Sequence, residues 1–171
     1  NTVIEGCEKQ MIEESKTVCF TGHRPQSLAF GFDEDDERCI KLKETMRNEI
    51  IRLIEECYAS CFISGMAIGI DIFAAEIVLE LKSQYPQIKL ECAIPCENQS
   101  IKWNERTRDR YFSIIEKSDL ETMLQSQYTP DCMQKRNEYM VDKSDVILAI
   151  WNGKVLVPVV LSNMQRRKAK K

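Results

Sequence analysis

One histidine, His23, serves a chain of 171 residues. No histidine-based metal cluster can form on that inventory, and no Ser-His-Asp set can be assembled around it. Eight cysteines are present, but no CxxC pair; Cys57/Cys61 and Cys92/Cys96 stand four apart and the rest are scattered. A zinc site needs clustered ligands and a disulfide framework needs a secreted context, so buried, reduced thiols are expected instead. Long apolar runs are missing too, which excludes a helical membrane span. The opening stretch is polar and acidic and shows no secretory leader, so a cytoplasmic, soluble protein without membrane contact is expected. Excess positive charge is also lacking: 24 basic residues face 27 acidic ones, for a net charge of −3. Nucleic acid is therefore not the expected partner. The basic residues gather only at the end, in Arg166-Arg167-Lys168-Ala169-Lys170-Lys171.

What remains is 43% hydrophobic and 30% charged, the balance of a globular chain long enough for one domain. No internal repeat or linker divides it. Residues 1–16 carry no periodicity and read as an N-terminal extension, with Met11 a candidate natural start. Thr17-Val18-Cys19-Phe20 reads as a first strand, halted by Thr21-Gly22-His23-Arg24-Pro25 because a proline disfavours helix at the residue before it. Ile40, Leu42, Met46, Ile50, Ile51, Leu53 and Ile54 recur at helical spacing behind the acidic run Asp33–Asp36, which predicts a capped helix from about Asp35 to Ala59. Cys61–Ile63 reads as a second strand, and the Gly65–Gly69 turn behind it leads into a helix that carries the apolar segment Ile72–Leu81 and ends near Tyr85-Pro86. Ile88–Ile94 reads as a third strand and Gln99–Lys117 as a mixed helix. Thr122–Leu124 is a weak fourth strand, Asp131–Lys143 a helix, and Val146–Trp151 the most apolar strand. Strands alternating with helices predict a parallel sheet with helices on both faces.

In such a sheet ligands bind beyond the carboxyl ends of the strands. Those ends carry Gly22-His23-Arg24, Ser64-Gly65, Pro95 and Trp151-Asn152-Gly153. The turn Ser64-Gly65-Met66-Ala67-Ile68-Gly69-Ile70-Asp71 joins a buried strand to a helix. Its two glycines let a ligand approach the backbone, and a helix start offers free N–H groups that suit a phosphate. Arg24 adds a guanidinium fork and His23 a hydrogen-bonding ring. Arg106, Arg110, Trp103 and Trp151 are weaker candidates, since a helical arginine is commonly ion-paired and a tryptophan at a strand end is as often core.

Four stretches carry a resemblance. They are Cys19-Phe20-Thr21-Gly22-His23-Arg24-Pro25, the Ser64–Asp71 turn, Arg136-Asn137-Glu138-Tyr139-Met140-Val141-Asp142, and Asp145-Val146-Ile147-Leu148-Ala149-Ile150-Trp151-Asn152-Gly153. In this order they resemble the YpsA-type family of the SLOG superfamily, which also holds the DNA-processing protein A and the Lonely Guy phosphoribohydrolases. The resemblance covers roughly residues 16–154. It implies a Rossmann-like domain over 17–154 with a nucleotide-type pocket lined by Gly22, His23, Arg24, Ser64, Gly65, Met66, Gly69 and Asp71. Arg136 and Asn137 follow from the third motif.

The reading favoured by the resemblance is a binding or sensing module for a nucleotide-type small molecule, with no cofactor assigned and a homo-oligomer open. The alternative is hydrolysis of an N-glycosidic bond in a nucleoside monophosphate. The Lonely Guy relatives carry a Gly-Gly-x-Gly-Thr loop followed by a glutamate for that reaction, and this chain has no such sequence. Single-stranded DNA binding is a third reading, for which the basic tail is the sole candidate.

After Lys154 the family resemblance would continue with a glycine-threonine loop and a helix. The chain instead reads Val155-Leu156-Val157-Pro158-Val159-Val160 and then a basic stretch, so residues 155–171 form an atypical tail and the C-terminal part of the fold is expected to be truncated or altered. The run is compatible with an out-of-frame translation of Thr-Gly-Thr-Gly-Ser-Thr-Val-Lys-Tyr-Ala. Losing that loop and helix would leave apolar sheet surface exposed and weaken ligand binding.

Overall fold

The computed structural model describes residues 15–161; the N-terminal extension up to residue 14 and the basic stretch from residue 162 lie outside them. In chain order the elements are β1 (Lys16–Gly22), a 3-10 turn (Pro25–Ser27), α1 (Glu37–Cys57), β2 (Ala59–Ser64), α2 (Ile70–Leu81) and β3 (Lys89–Ile94). There follow α3 (Glu105–Lys117), β4 (Leu120–Met123), α4 (Cys132–Lys143), β5 (Val146–Trp151), β6 (Lys154–Val155) and β7 (Val159–Val160). The strands make one sheet in the order β4-β3-β2-β1-β5-β6, with β7 also on β5. β1 to β5 pair in parallel, and β6 and β7 run antiparallel to β5.

This order decides which face each helix covers. Crossovers between parallel strands are right-handed in nearly all proteins. The steps from β1 to β2, β3 and β4 all march one way, so α1, α2 and α3 land on the same face. The return from β4 to β5 goes back past β1, so α4 lands on the other. The large core cluster accordingly joins Val18, Phe20, Phe62, Leu90 and Leu148 of the sheet to α1–α3. A smaller cluster joins Cys19, Ile63 and Ala93 to Met140 of α4. Among the described residues helices do cover both faces, three on one and one on the other.

The local sequence explains the elements. In α1, Leu42, Met46, Ile50, Leu53 and Ile54 form one buried stripe. Asp36 caps it, accepting the Arg38 backbone N–H at 2.8 Å. The helix ends at Tyr58 with φ 57°, a place where glycine is usual. α2 packs on the sheet between α1 and α3 and is apolar almost all round, with Ile70, Ile72, Phe73, Ala74, Ala75, Ile77, Val78 and Leu81 buried. Each large side chain so buried contributes on the order of 1.5–3 kcal/mol relative to exposure.

α3 begins at Glu105, later than apolar spacing suggests. Asn104 accepts the Thr107 N–H at 2.8 Å, and residues 98–103 are taken up by turns, including Trp103 N–H to Ser100 O. β4 is shifted towards its N-terminus relative to Thr122–Leu124. Residues 154–161 fold back along β5, with Leu156 N–H on Ala149 O and Leu161 N–H on Asp145 O. The described cysteines are free thiols, and Cys19, Cys39, Cys92, Cys96 and Cys132 are buried. Burial pushes the Cys92 thiol up to about 12, which keeps it protonated and inert.

Candidate functional site

β1 has β2 on one side and β5 on the other, so the chain's direction across the sheet reverses there. A reversal of this kind opens a crevice at the carboxyl ends of the strands. Three features bring the surrounding pieces together. Gly22 ends β1 against the first turn of α2, where a Cβ would meet the Ile70 side chain at 2.7–2.9 Å. The turn after β2 bends through Met66 (φ 56°) and Gly69 (φ 100°), the latter being the N-cap of α2. α4 passes over this turn from the opposite face and extends Arg136 to it.

The result is a cavity of about 180 Å³ lined by Gly22, His23, Arg24, Asp71, Arg136 and Asn137, with Thr21, Ala67, Ile68, Met133 and Met140 among its other walls. Ser64, Gly65, Met66 and Gly69 stand behind it as its frame. The Ser64 hydroxyl, fully buried, donates to Asp71 O at 2.8 Å and accepts the Met66 N–H at 3.2 Å. The space above Gly65 is filled: a Cβ there would lie 2.8 Å from Arg136 Nε and 3.0 Å from Asp71 Oδ2. Its carbonyl accepts from Arg136 Nη1 at 3.0 Å. Gly69 gives room to Pro25, whose Cδ would sit 3.0 Å from an added Cβ.

Charge in the cavity comes from two guanidinium groups and one carboxylate. Arg136 is 6% exposed, with Nη2 and Nε on Asn137 Oδ1 at 3.0 and 3.3 Å. Asp71 is partly open on the cavity side and accepts the Ala67 N–H at 3.2 Å. Burial raises the Asp71 carboxyl above its usual range, against the pull of Arg136, the Ala67 N–H and Arg24. Burial likewise lowers Arg136, with Asp71 opposing and Arg24 adding to the effect. The three groups act on one another through space and none forms an ion pair among the described residues, which leaves the pocket one positive charge in excess.

His23 lies on the rim, its ring 4.1 Å from that of Trp151, which is 58% exposed. Its Nδ1 is buried and meets no hydrogen-bond partner among the described residues. Among the described residues no three His, Cys, Asp or Glu side chains are placed to hold a metal.

Of the weaker candidates, Arg110 is bound to Glu34 and Glu76 away from the cavity, and Trp103 packs edge-on against Tyr111. Sequence reasoning passed over Gln99, whose Nε2 reaches Gly65 O at 3.4 Å. It also passed over Met133 and Met140, because a methionine on an amphipathic helix reads as core.

The family model YpsA, described as the YspA SLOG family, matches residues 18–165, past the point where the motifs themselves end. The UPF0398 protein YpsA of Bacillus subtilis (strain 168) is 27% identical over 139 residues, 80% of this chain and 76% of that protein. A UPF0398 protein of Brevibacillus brevis is 31% identical over 157 residues, 90% of this chain and 82% of its own length. Another, from Bacillus licheniformis, is 27% identical over 159 residues, 91% and 86% respectively.

Proposed function

Because the chain belongs to the YpsA SLOG family, and because its pocket holds two guanidinium groups against one carboxylate, we propose that it binds a nucleotide-type ligand through a phosphate. The carrying observation is the pair Arg24 and Arg136, brought from distant parts of the chain to one small polar cavity without an ion-pair partner for either among the described residues. Guanidinium forks match phosphate oxygens, and in a partly dehydrated cavity such hydrogen bonds are stronger than between neutral groups. The Asp71 carboxylate, which lines the cavity, supplies a site for a sugar hydroxyl. A cavity of about 180 Å³ is below the ~300–1,000 Å³ of a full ligand pocket. The base therefore stays outside, where the exposed Trp151 ring offers a stacking surface.

Calorimetry with AMP and adenosine tests this. Arg24→Ala removes an exposed charge without disturbing the core. It should weaken AMP about tenfold or more, in line with ~1.5–3 kcal/mol for a charge-assisted hydrogen bond, and leave adenosine unchanged. Failure of AMP to bind the unaltered protein, or equal losses for both ligands, would overturn the reading.

A further inference from the structure

Two segments that form the rim of the pocket run on together and enclose a second depression. The loop after Arg24 buries Pro25, Leu28 and Phe30 in succession. The β5–β6 hairpin turns through Asn152 (φ 48°) and Gly153 (φ 71°), so that Trp151 pairs with Lys154. Between them and α1 lies a groove of about 520 Å³, with Phe30, Leu42 and Val155 as its apolar floor and Arg38, Lys41 and Lys154 at its edge. Arg38 is neutralised by Asp36, Nη2 to Oδ2 at 2.7 Å. Lys41 and Lys154 form no ion pair among the described residues, and no carboxylate lines the groove. In a chain with net charge −3, this is a local excess of positive charge over an apolar surface.

We propose that this groove is a second ligand subsite. Resting on the phosphate reading of the first pocket, it makes the ligand a dinucleotide. The first phosphate lies between Arg24 and Arg136, the first base against Trp151, the linking phosphate at Lys41 and Lys154, and the second nucleoside on Phe30, Leu42 and Val155. The division of labour follows from chemistry. Ammonium groups attract phosphate without demanding a fixed geometry, and an apolar floor holds a flat ring by area. The groove's volume, unlike that of the first pocket, falls in the ~300–1,000 Å³ range of sites that enclose a nucleoside.

The experiment compares AMP, linear diadenylate (pApA) and NAD by calorimetry at fixed ionic strength, on the unaltered protein and on Lys41→Ala/Lys154→Ala. Both lysines are exposed, so the double variant should fold. pApA should bind the unaltered protein tenfold or more tighter than AMP, and the double variant should reduce that advantage to less than threefold while leaving AMP within twofold. NAD, whose two phosphates both lie within its linkage so that none is left for the first pocket, should show no such advantage; an equal gain for NAD would overturn this arrangement. pApA no tighter than AMP, or a double variant without effect, would overturn the second subsite and leave the first pocket standing. Binding of none of the three would remove both.

Discussion

Asp71 is the residue on which the pocket's stability and its use pull apart. A carboxyl whose folded value is raised takes up protons more readily in the folded chain than in the unfolded one. Its contribution to stability is therefore present at low pH and falls as pH rises from the ordinary carboxylate range through the raised value. Above the ordinary carboxylate range the group is a net cost to the folded state. Asp71→Asn keeps the acceptor for the Ala67 N–H and removes that cost. Its melting temperature at pH 7 should exceed that of the unaltered protein, by about 2–4 °C for each kcal/mol gained in a chain of this size. The difference should shrink as pH is lowered towards 4. Ligand affinity should fall at the same time, the usual trade between a strained site and stability. A thermal melt series across pH checks the sign; a variant less stable at neutral pH would refute it. Gly65 shows what was legible at this scale and what was not. A bare glycine in a strand-to-helix turn could be read from the sequence, but not that the Arg136 and Asp71 side chains fill the space its missing Cβ leaves. That contact joins residues far apart in the chain, and no local pattern carries it.

Among the elements, the three helices on one face are tied by a charge network that crosses all of them. Arg110 of α3 binds Glu76 of α2 and, at 2.5 Å, Glu34 in the loop leading to α1; Lys43 of α1 binds Glu34 at 2.6 Å. Burial alone would raise the Glu34 carboxyl, but the hydrogen bonds and charges of Arg110 and Lys43 overcome it and hold the group at about 2. The stability this gives is present above the ordinary carboxylate range and is lost as pH falls towards about 2. Arg110→Met leaves Glu34 and Glu76 facing one another with a single ammonium nearby. It should lower the urea midpoint at pH 7 by the equivalent of about 1–2 kcal/mol, a figure reduced because a third of each side chain is open to water. The loss should diminish in acid, where the unaltered protein forfeits the same interaction; a deficit constant from pH 7 to 3 would count against it. From sequence, Arg110 stood as a weak ligand candidate beside the ion-paired reading. Helical spacing places it on a face, but its acidic partners come from two other elements. The start of α3 was misjudged for a related reason: apolar periodicity extends back to Gln99, and the Asn104 cap overrides it.

For the whole molecule, the alternation of strands and helices was enough to foresee a parallel sheet covered on both faces, and the glycine-bearing strand ends were enough to foresee where the pocket opens. The strand order was not legible. It sets the three-to-one division of helices, which follows from direction of travel across the sheet rather than from any residue's preference. The consequence lies at the sheet edge that carries β6 and β7. Val157 and Val160 there are 85% and 71% exposed. An edge strand with apolar side chains and unpaired backbone groups is a template for another chain. Pro158 interrupts this one, separating β6 from β7, and proline at an edge withholds a donor from any incoming strand. Pro158→Val should join the two short strands into one continuous edge from Lys154 to Val160 and promote association, seen as mass growth with concentration in sedimentation or light scattering. Val157→Lys should act in the opposite direction. An exposed side chain bears little on stability, so the lysine variant should stay within about 0.5 kcal/mol of the unaltered protein. If both variants associate to the same extent as the unaltered chain, the contact surface lies elsewhere. The other edge, β4, is the place to look next, with Leu120 and Met123 exposed and Glu121 between them as a repelling charge, while Asp119 just ahead of the strand is bound to Lys82.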